Sequence, residues 1–279
     1  MKRFILILAQ IVVLASLSAC SPQVPATQTP TAITTPCVEP AITLGEIGDQ
    51  PTQIIPDVQK LANYLAQKLA GFGIECGQVK VTSTVKDMIE LINKGEVDVY
   101  LDSMFPAALA SDATGAEPIL RQWRNCDPEY YSVIFTLANS GIGSIDNLPG
   151  HVIGVDRPDS TSGFAMPASY LIDRGLRMEV KANWNEPVDA NEVGVWFTGA
   201  DDNTWRNVAS GNVIAGATDD FHYAQWEKAE PGKFVVLAKT GSEPRRVVLV
   251  RAGLDSALKA AIKNVLLKAD QDPNALAVL

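Results

Sequence analysis

Between residues 58 and 73, "VQKLANYLAQKLAGFG" sets Val58, Leu61, Ala62, Leu65, Ala66 and Leu69 three and four apart, which puts apolar side chains on one helix face, and then stops at Gly71 and Gly73. The run before it, "AITLGEIG" (41–48), is apolar without a helical period and predicts a buried strand. The same succession repeats. "QVKVTS" predicts a strand, Thr84 with Asp87 makes a capping start for the helix "VKDMIELINKG", and "EVDVYLDS" (96–103) predicts a third strand. A β-α-β-α-β order needs crossovers, and crossovers favour a parallel sheet. A similar series follows the turn-rich "NSGIGSIDNLPG" (139–150). It comprises the strand "HVIGV" (151–155), a helix over "TSGFAMPASYLIDRG" ending at Gly175, a strand at "RMEVKAN", a short helix at "DDNTWRNVASG" (201–211), and the strand "VIAGATDD" (213–220) leading into "FHYAQWEKA".

The last stretch does not continue that second series. "KFVVLAK" (233–239) and "RRVVLV" predict strands, and "DSALKAAIKNVLLKAD" (255–270) predicts a helix. These fit the first half if the second half is inserted into it, with the chain leaving near "YYSVIFTLA" (130–138) and returning between 233 and 250. The expected architecture is therefore α/β: two Rossmann-like lobes with parallel-rich sheets, joined by a two-segment hinge. Lobe 1 would span 38–136 and 240–279, and lobe 2 would span 137–239. Ligands of such chains sit in the cleft between lobes.

Charge and small residues change the picture at the N-terminus. Lys2 and Arg3, the apolar "FILILAQIVVLASL" and then "SAC" read as a signal peptide over 1–19, whose apolar run falls short of the roughly 20 residues of a membrane span. "LSAC" resembles a bacterial lipobox, which implies cleavage before Cys20 and lipidation of that cysteine. The uncharged "SPQVPATQTPTAITTP" (21–36) has nothing with which to build a core and reads, over 20–37, as a flexible tether. An extracytoplasmic protein follows, held to the cell membrane by its lipid alone, at the surface or in the periplasm. Without Lys2 and Arg3 the formal charge of -9 becomes -11, which argues against nucleic acid as a partner but not against a local anion site.

Cys37 lies just before the first predicted strand and Cys76 just before the second, so the two can pair if those strands are parallel neighbours, with Cys126 left free. There is no C-x-x-C and the two histidines are scattered, so neither a metal nor a cofactor is expected.

The candidate chemistry lies in "DRPDSTSGF" (156–164), at the junction of a strand and a helix. The first N–H groups of a helix have no intrahelical partners and favour an anion. Ser160, Thr161 and Ser162 add three hydroxyl donors there, and Gly163 lets the backbone come close to a ligand. One hydroxyl is enough for a cap; the surplus suits a tetrahedral oxyanion. The loop lacks the lysine and glycine spacing of a P-loop. There is no G-x-S-x-G, and neither His151 nor His222 makes a credible base, so an enzyme is not expected.

The segment "YYSVIFTLANSGIGSIDNLPGHVIGVDRPDSTSGFAMPASYLIDRGL" (130–176) resembles the core signature of the phosphate/phosphite/phosphonate solute-binding proteins of ABC transporters, which have the type II periplasmic-binding-protein fold. Asn139 stands where that signature usually has Asp, and Arg157 is interposed between Asp156 and Pro158. The likeness extends to "GEVDVYLDSMFPAAL" (95–109) and "FTGADDNTWRNVASGNVIAGATDD" (197–220). It implies high-affinity binding of a phosphonate, phosphite or phosphate between the lobes, and delivery to an ABC permease with its cytoplasmic ATPase by a monomeric lipoprotein. A ligand-sensing lipoprotein of the same fold, not coupled to transport, is the alternative.

The implied ligand set is Ser160, Thr161, Ser162 and Gly163 from the loop, with Tyr100, Asp102 and Ser103 at the end of a first-lobe strand. Asp201, Asp219 and Asp220 complete it, as partners for an amine or a protonated P–OH; Asp202 and Asp220 also read as helix N-caps. A site of hydroxyls and amides, without arginine, is expected, because a strong ion pair would oppose release to the permease.

Overall fold

The computed structural model describes Cys37, 40–48, 50–124 and 126–276; the expected signal peptide, lipidated Cys20 and all of the tether but Cys37 lie outside the described residues. The chain opens with β1 (Ala41–Ile47), α1 (Pro51–Lys68), β2 (Cys76–Thr82), α2 (Val85–Asn93), β3 (Val99–Asp102), α3 (Met104–Thr114) and β4 (Glu117–Gln122). It passes through β5 (Glu129–Tyr130) and β6 (Ser132–Leu137) into β7 (Val152–Val155), α4 (Met166–Ile172), β8 (Arg177–Lys181), β9 (Glu192–Phe197), α5 (Asp201–Ala209), β10 (Ala215–Asp219), α6 (Asp220–Ala229) and β11 (Phe234–Lys239). It returns through β12 (Glu243–Pro244) to β13 (Arg246–Val250) and α7 (Ser256–Leu267).

Two mixed sheets result. The first has the order β2-β1-β3-β13-β4, with β1 parallel to β2 and β3, and β13 antiparallel to β3 and β4. The second has the order β11-β6-β10-β7-β9-β8, parallel from β10 to β8 and antiparallel at β6. Each sheet is covered on both faces. In the first, Leu61, Leu65 and Leu69 of the α1 region pack with Ile262 of α7 on one side, and Met88, Ile92, Ala107 and Ala110 of α2 and α3 pack on the other. In the second, Leu171 of α4 backs one face, and Val208 and Trp226 of α5 and α6 back the opposite one. Fully burying one such leucine contributes roughly 1.5–3 kcal/mol.

Several boundaries move. α1 starts at Pro51, seven residues before the expected apolar stripe, because Pro51 at the first helical position loses no bond and Ile54 and Ile55 pack on the core. That packing offsets Pro56, whose place inside a helix costs about 3 kcal/mol. Gly77 of β2 is needed where α1 presses on the sheet, since a Cβ there would stand 2.2 Å from the Ala62 carbonyl carbon. The expected lobe boundary at 136/137 cuts through β6, whose whole register is with β10 and β11, so the outward crossing falls between β5 and β6. Cys37 and Cys76 are joined in a disulfide with Cα atoms 6.3 Å apart, at the start of the parallel β1/β2 pair, and Cys126 is free.

The two crossing segments pair with each other. β5 and β12 form a two-stranded ribbon, Glu243 opposite Tyr130. Ser132 N–H donates to Thr240 Oγ1 (2.9 Å), and Arg245 N–H donates to the Pro128 carbonyl (3.0 Å). No helix among the described residues is long and apolar enough to cross a membrane.

Candidate functional site

β7 ends at Val155, and the chain turns through 156–160 into a π-helical turn (Thr161–Ala165) that continues as α4. Ser160 caps that turn: its Oγ accepts the Gly163 N–H at 3.1 Å, which leaves its own proton free to donate. Gly163 is pressed against the loop, where a Cβ would meet Asp156 Cβ at 2.4 Å and Ser160 Oγ at 2.9 Å. It shapes the turn and lies outside the cavity lining. The Ser162 carbonyl accepts the Ser132 hydroxyl (2.7 Å), which pins the residue to β6, while the Ser162 hydroxyl has no hydrogen-bond partner among the described residues.

Thr161 behaves differently. Its Oγ1 accepts the Phe105 N–H from the start of α3 (2.9 Å) and donates to Ser103 Oγ (2.9 Å), so it bonds the second lobe to the first. Ser103 in turn donates to Asp102 Oδ1 (3.2 Å), and Tyr100 donates its hydroxyl to Asp102 Oδ2 (2.7 Å). The Thr161 proton is thus spent on Ser103, and those of Ser103 and Tyr100 on Asp102. Tyr100 is buried beneath the site rather than lining it, and burial, then Asp102, raises its pKa. Burial raises the Asp102 pKa as well, against the pull of Arg246. A second bond between lobes lies alongside: Val85 N–H, at the start of α2, donates to Asp159 Oδ2 at 3.2 Å.

The loop, the end of β3 and the ends of the second sheet's strands enclose one cavity of about 260 Å³. Its far wall is acidic. Asp219 caps α6, accepting the His222 N–H and facing the His222 ring, both at 2.8 Å. Burial works to raise the Asp219 pKa, but the histidine wins and holds it low, while that same bond raises His222. Asp201 accepts the Thr218 hydroxyl (2.7 Å), and burial, helped by Asp156, pushes its pKa up to about 6. The N-cap of α5 is Ala200, which offers no side-chain cap, and that of α6 is Asp219, so neither Asp202 nor Asp220 is the cap that the sequence suggested. Asp220 is not in the lining; it faces Arg245 at 3.6 Å. Asp201, Asp219 and His222 bring their donor atoms within 4.8 Å of one another, a set that could hold a cation, although each already has a protein partner.

The expectation of a site without arginine is overturned. Arg124, Arg157, Arg245 and Arg246 all line the cavity. Arg246 pairs with Glu46 at 2.5 Å, and Arg157 with Asp159 at 3.3 Å. Burial opposes the Arg246 charge, but Glu46 and Asp102 outweigh it and raise its pKa. Tyr130, from the hinge ribbon, is 5% exposed; its hydroxyl lies beside Thr161 and Ser103 without reaching hydrogen-bond geometry, and burial pushes its pKa up to about 12. Arg124, Tyr130 and Arg245 come from the hinge segments, Arg157 from the loop after β7 and Arg246 from the start of β13. The cue in the sequence was the pair Arg245–Arg246 opening a returning buried strand.

The profile of a family described as periplasmic substrate-binding proteins of phosphonate ABC transporters matches residues 48–279. Among solved structures, XAC2383 from Xanthomonas citri bound to chloride ion is 25% identical with a TM-score of 0.81, covering 86% of this chain and 87% of that one. A binding protein component of an ABC phosphonate transporter from Pseudomonas aeruginosa is 18% identical (TM-score 0.65; 87% and 78% covered). PhnD1 from Prochlorococcus marinus in complex with methylphosphonate is 20% identical (TM-score 0.61; 86% and 88% covered). The last two likenesses show the shared two-lobed α/β fold.

Proposed function

The chain belongs to the family of periplasmic substrate-binding proteins of phosphonate ABC transporters, and from that membership we propose that it captures a small phosphorus oxyanion in the cavity between its lobes and hands it to a permease. It is a binding protein, not an enzyme. Ligand oxygens are held by the Ser160 and Ser162 hydroxyls, while Asp201, Asp219 and His222 face the remainder of the ligand. The observation that carries this reading is the pair of spare hydroxyl protons facing one cavity: Ser160 with a free proton, and Ser162 without a hydrogen-bond partner among the described residues. A tetrahedral anion has the lone pairs to use them. Thr161 is assigned to closing the lobes rather than to the ligand. The lipid anchor at Cys20 and the monomeric state belong to the same reading.

Calorimetry at neutral pH with phosphite, phosphate, methylphosphonate and 2-aminoethylphosphonate tests it. At least one is expected to bind at about micromolar affinity or tighter, and Ser162→Ala is expected to weaken that binding without lowering the melting temperature. No heat and no thermal shift with all four overturns the reading.

A further inference from the structure

We propose that the hinge end of the cavity is a second anion subsite, built by Arg124, Arg245 and the Tyr130 hydroxyl, and that the ligand is a short organophosphorus compound carrying a second acidic group. This inference rests on the function proposed above and specifies its ligand.

The acids and arginines of the cavity lining are unevenly paired. Arg246 and Arg157 are committed to Glu46 and Asp159. Arg124 has no hydrogen bond or ion pair from its side chain among the described residues, although it lines the cavity with two other guanidinium groups of this region, Arg245 and Arg246. It is held there by a tight turn, with Arg124 N–H donating to the Asp127 carbonyl (3.1 Å), the reverse bond at 3.0 Å, and Cys126 at a φ of 61°. Desolvation and the neighbouring Arg246 lower its pKa, against the pull of Glu46 and Asp219.

Arg245 repeats the pattern from the returning segment. It is 9% exposed, its Nε–H has no hydrogen-bond partner, and the carboxylates of Asp220 and Asp127 stand off at 3.6 and 3.7 Å. Its guanidinium lies 5.1 Å from the Tyr130 ring centre, and the Tyr130 hydroxyl is itself buried and unpartnered. Buried donors left unmade are a cost in the free protein that a ligand oxygen removes. Two guanidinium groups and a phenol present the planar, multi-donor geometry that carboxylate and phosphoryl groups accept.

The lining thus draws donors from two parts of the chain, the serines from the 160–162 loop and the arginines from the hinge segments, and a ligand with two acidic groups would engage both sets. The cavity, at about 260 Å³, is smaller than the roughly 300–1,000 Å³ of sites for drug-sized ligands, so the spacer between the two acids is short.

The test is calorimetry on the parent chain and on Arg124→Gln, with methylphosphonate, ethylphosphonate, phosphonoacetate, 3-phosphonopropionate, methylenebisphosphonate and 2-aminoethylphosphonate. A two-acid compound is expected to bind at least about tenfold tighter than ethylphosphonate, the gain of one charge-assisted hydrogen bond. Phosphonoacetate or 3-phosphonopropionate leading identifies the second acid as a carboxylate, and the bisphosphonate leading identifies it as phosphoryl. Arg124→Gln, and independently Tyr130→Phe, should each reduce that gain by a larger factor than they reduce methylphosphonate affinity. Binding of methylphosphonate with no gain from a second acid, tighter binding of the aminophosphonate, or an equal loss for all ligands in Arg124→Gln overturns the subsite while leaving the proposed function standing. No binding by any phosphorus compound overturns both.

Discussion

Replacing Thr161 by valine keeps the β-branched shape and removes the hydroxyl that joins the lobes. Two bonds go: the one from Phe105 N–H and the one to Ser103 Oγ, each 2.9 Å long in the closed arrangement. Each is worth about 1 kcal/mol net, so closure is weakened by roughly 2 kcal/mol, with the Phe105 amide left unpaired beside a methyl group. If ligand is held only between closed lobes, that penalty passes directly into affinity and raises Kd about 30-fold. The separation of the lobes in the ligand-free protein should shift towards open, read by energy transfer between labels on α1 and α5 or by small-angle scattering. Thr161→Ser, which keeps the hydroxyl, should restore both readouts. The second bond between lobes, Asp159 to Val85 N–H, limits the loss and should make Asp159→Asn additive with Thr161→Val. A valine variant that binds within about threefold of the parent, or that loses affinity with unchanged lobe separation, would show that Thr161 is not a latch.

Asp201→Asn should stabilise the ligand-free protein above pH 6. A carboxyl raised from its ordinary value to about 6 binds a proton in the folded state that the unfolded chain has already released, so its destabilising effect grows as pH rises from about 4 to 6 and is complete above that, at roughly 3 kcal/mol. Urea midpoints measured across that window should have a flatter pH dependence in the variant, and identical slopes would refute the assignment. Reduction of Cys37–Cys76, which closes a loop of 39 residues' separation, should cost about 4 kcal/mol on the chain-entropy account. The urea midpoint with and without reductant measures this, and an unchanged midpoint would refute it.

Periodicity carried the helices and strands that are buried on a regular face, such as α1 from Leu61 onward and the β7 run. It missed α3, β4 and β9. "MFPAALASDAT" is apolar almost all round, so it has no stripe to detect, and its helicity is set by packing against α2. The loop "DSTSG" announced its hydroxyl surplus in three adjacent letters, but the division of labour among them depends on Ser103 and Phe105, nearly sixty residues away. The arginines were hidden for the same reason: Arg124 and Arg245 meet only because two hinge segments pair. Local spacing also misassigned the cap of α6. Asp219 and Asp220 are neighbours with equal capping chemistry, and the choice is made by the backbone leaving β10 in an extended conformation.

The tripeptide at 160–162 joins two tasks within one turn, Ser160 and Ser162 facing the cavity and Thr161 facing the other lobe. Such a turn is a poor place for a lineage to experiment. A substitution that retunes what the serines grip also displaces the threonine, so affinity, closure and release would change together. Divergence in what these proteins carry is therefore steered to positions outside that turn, and Arg124 and the wall at 201 and 222 are where new diets can be acquired without disturbing the contact between lobes.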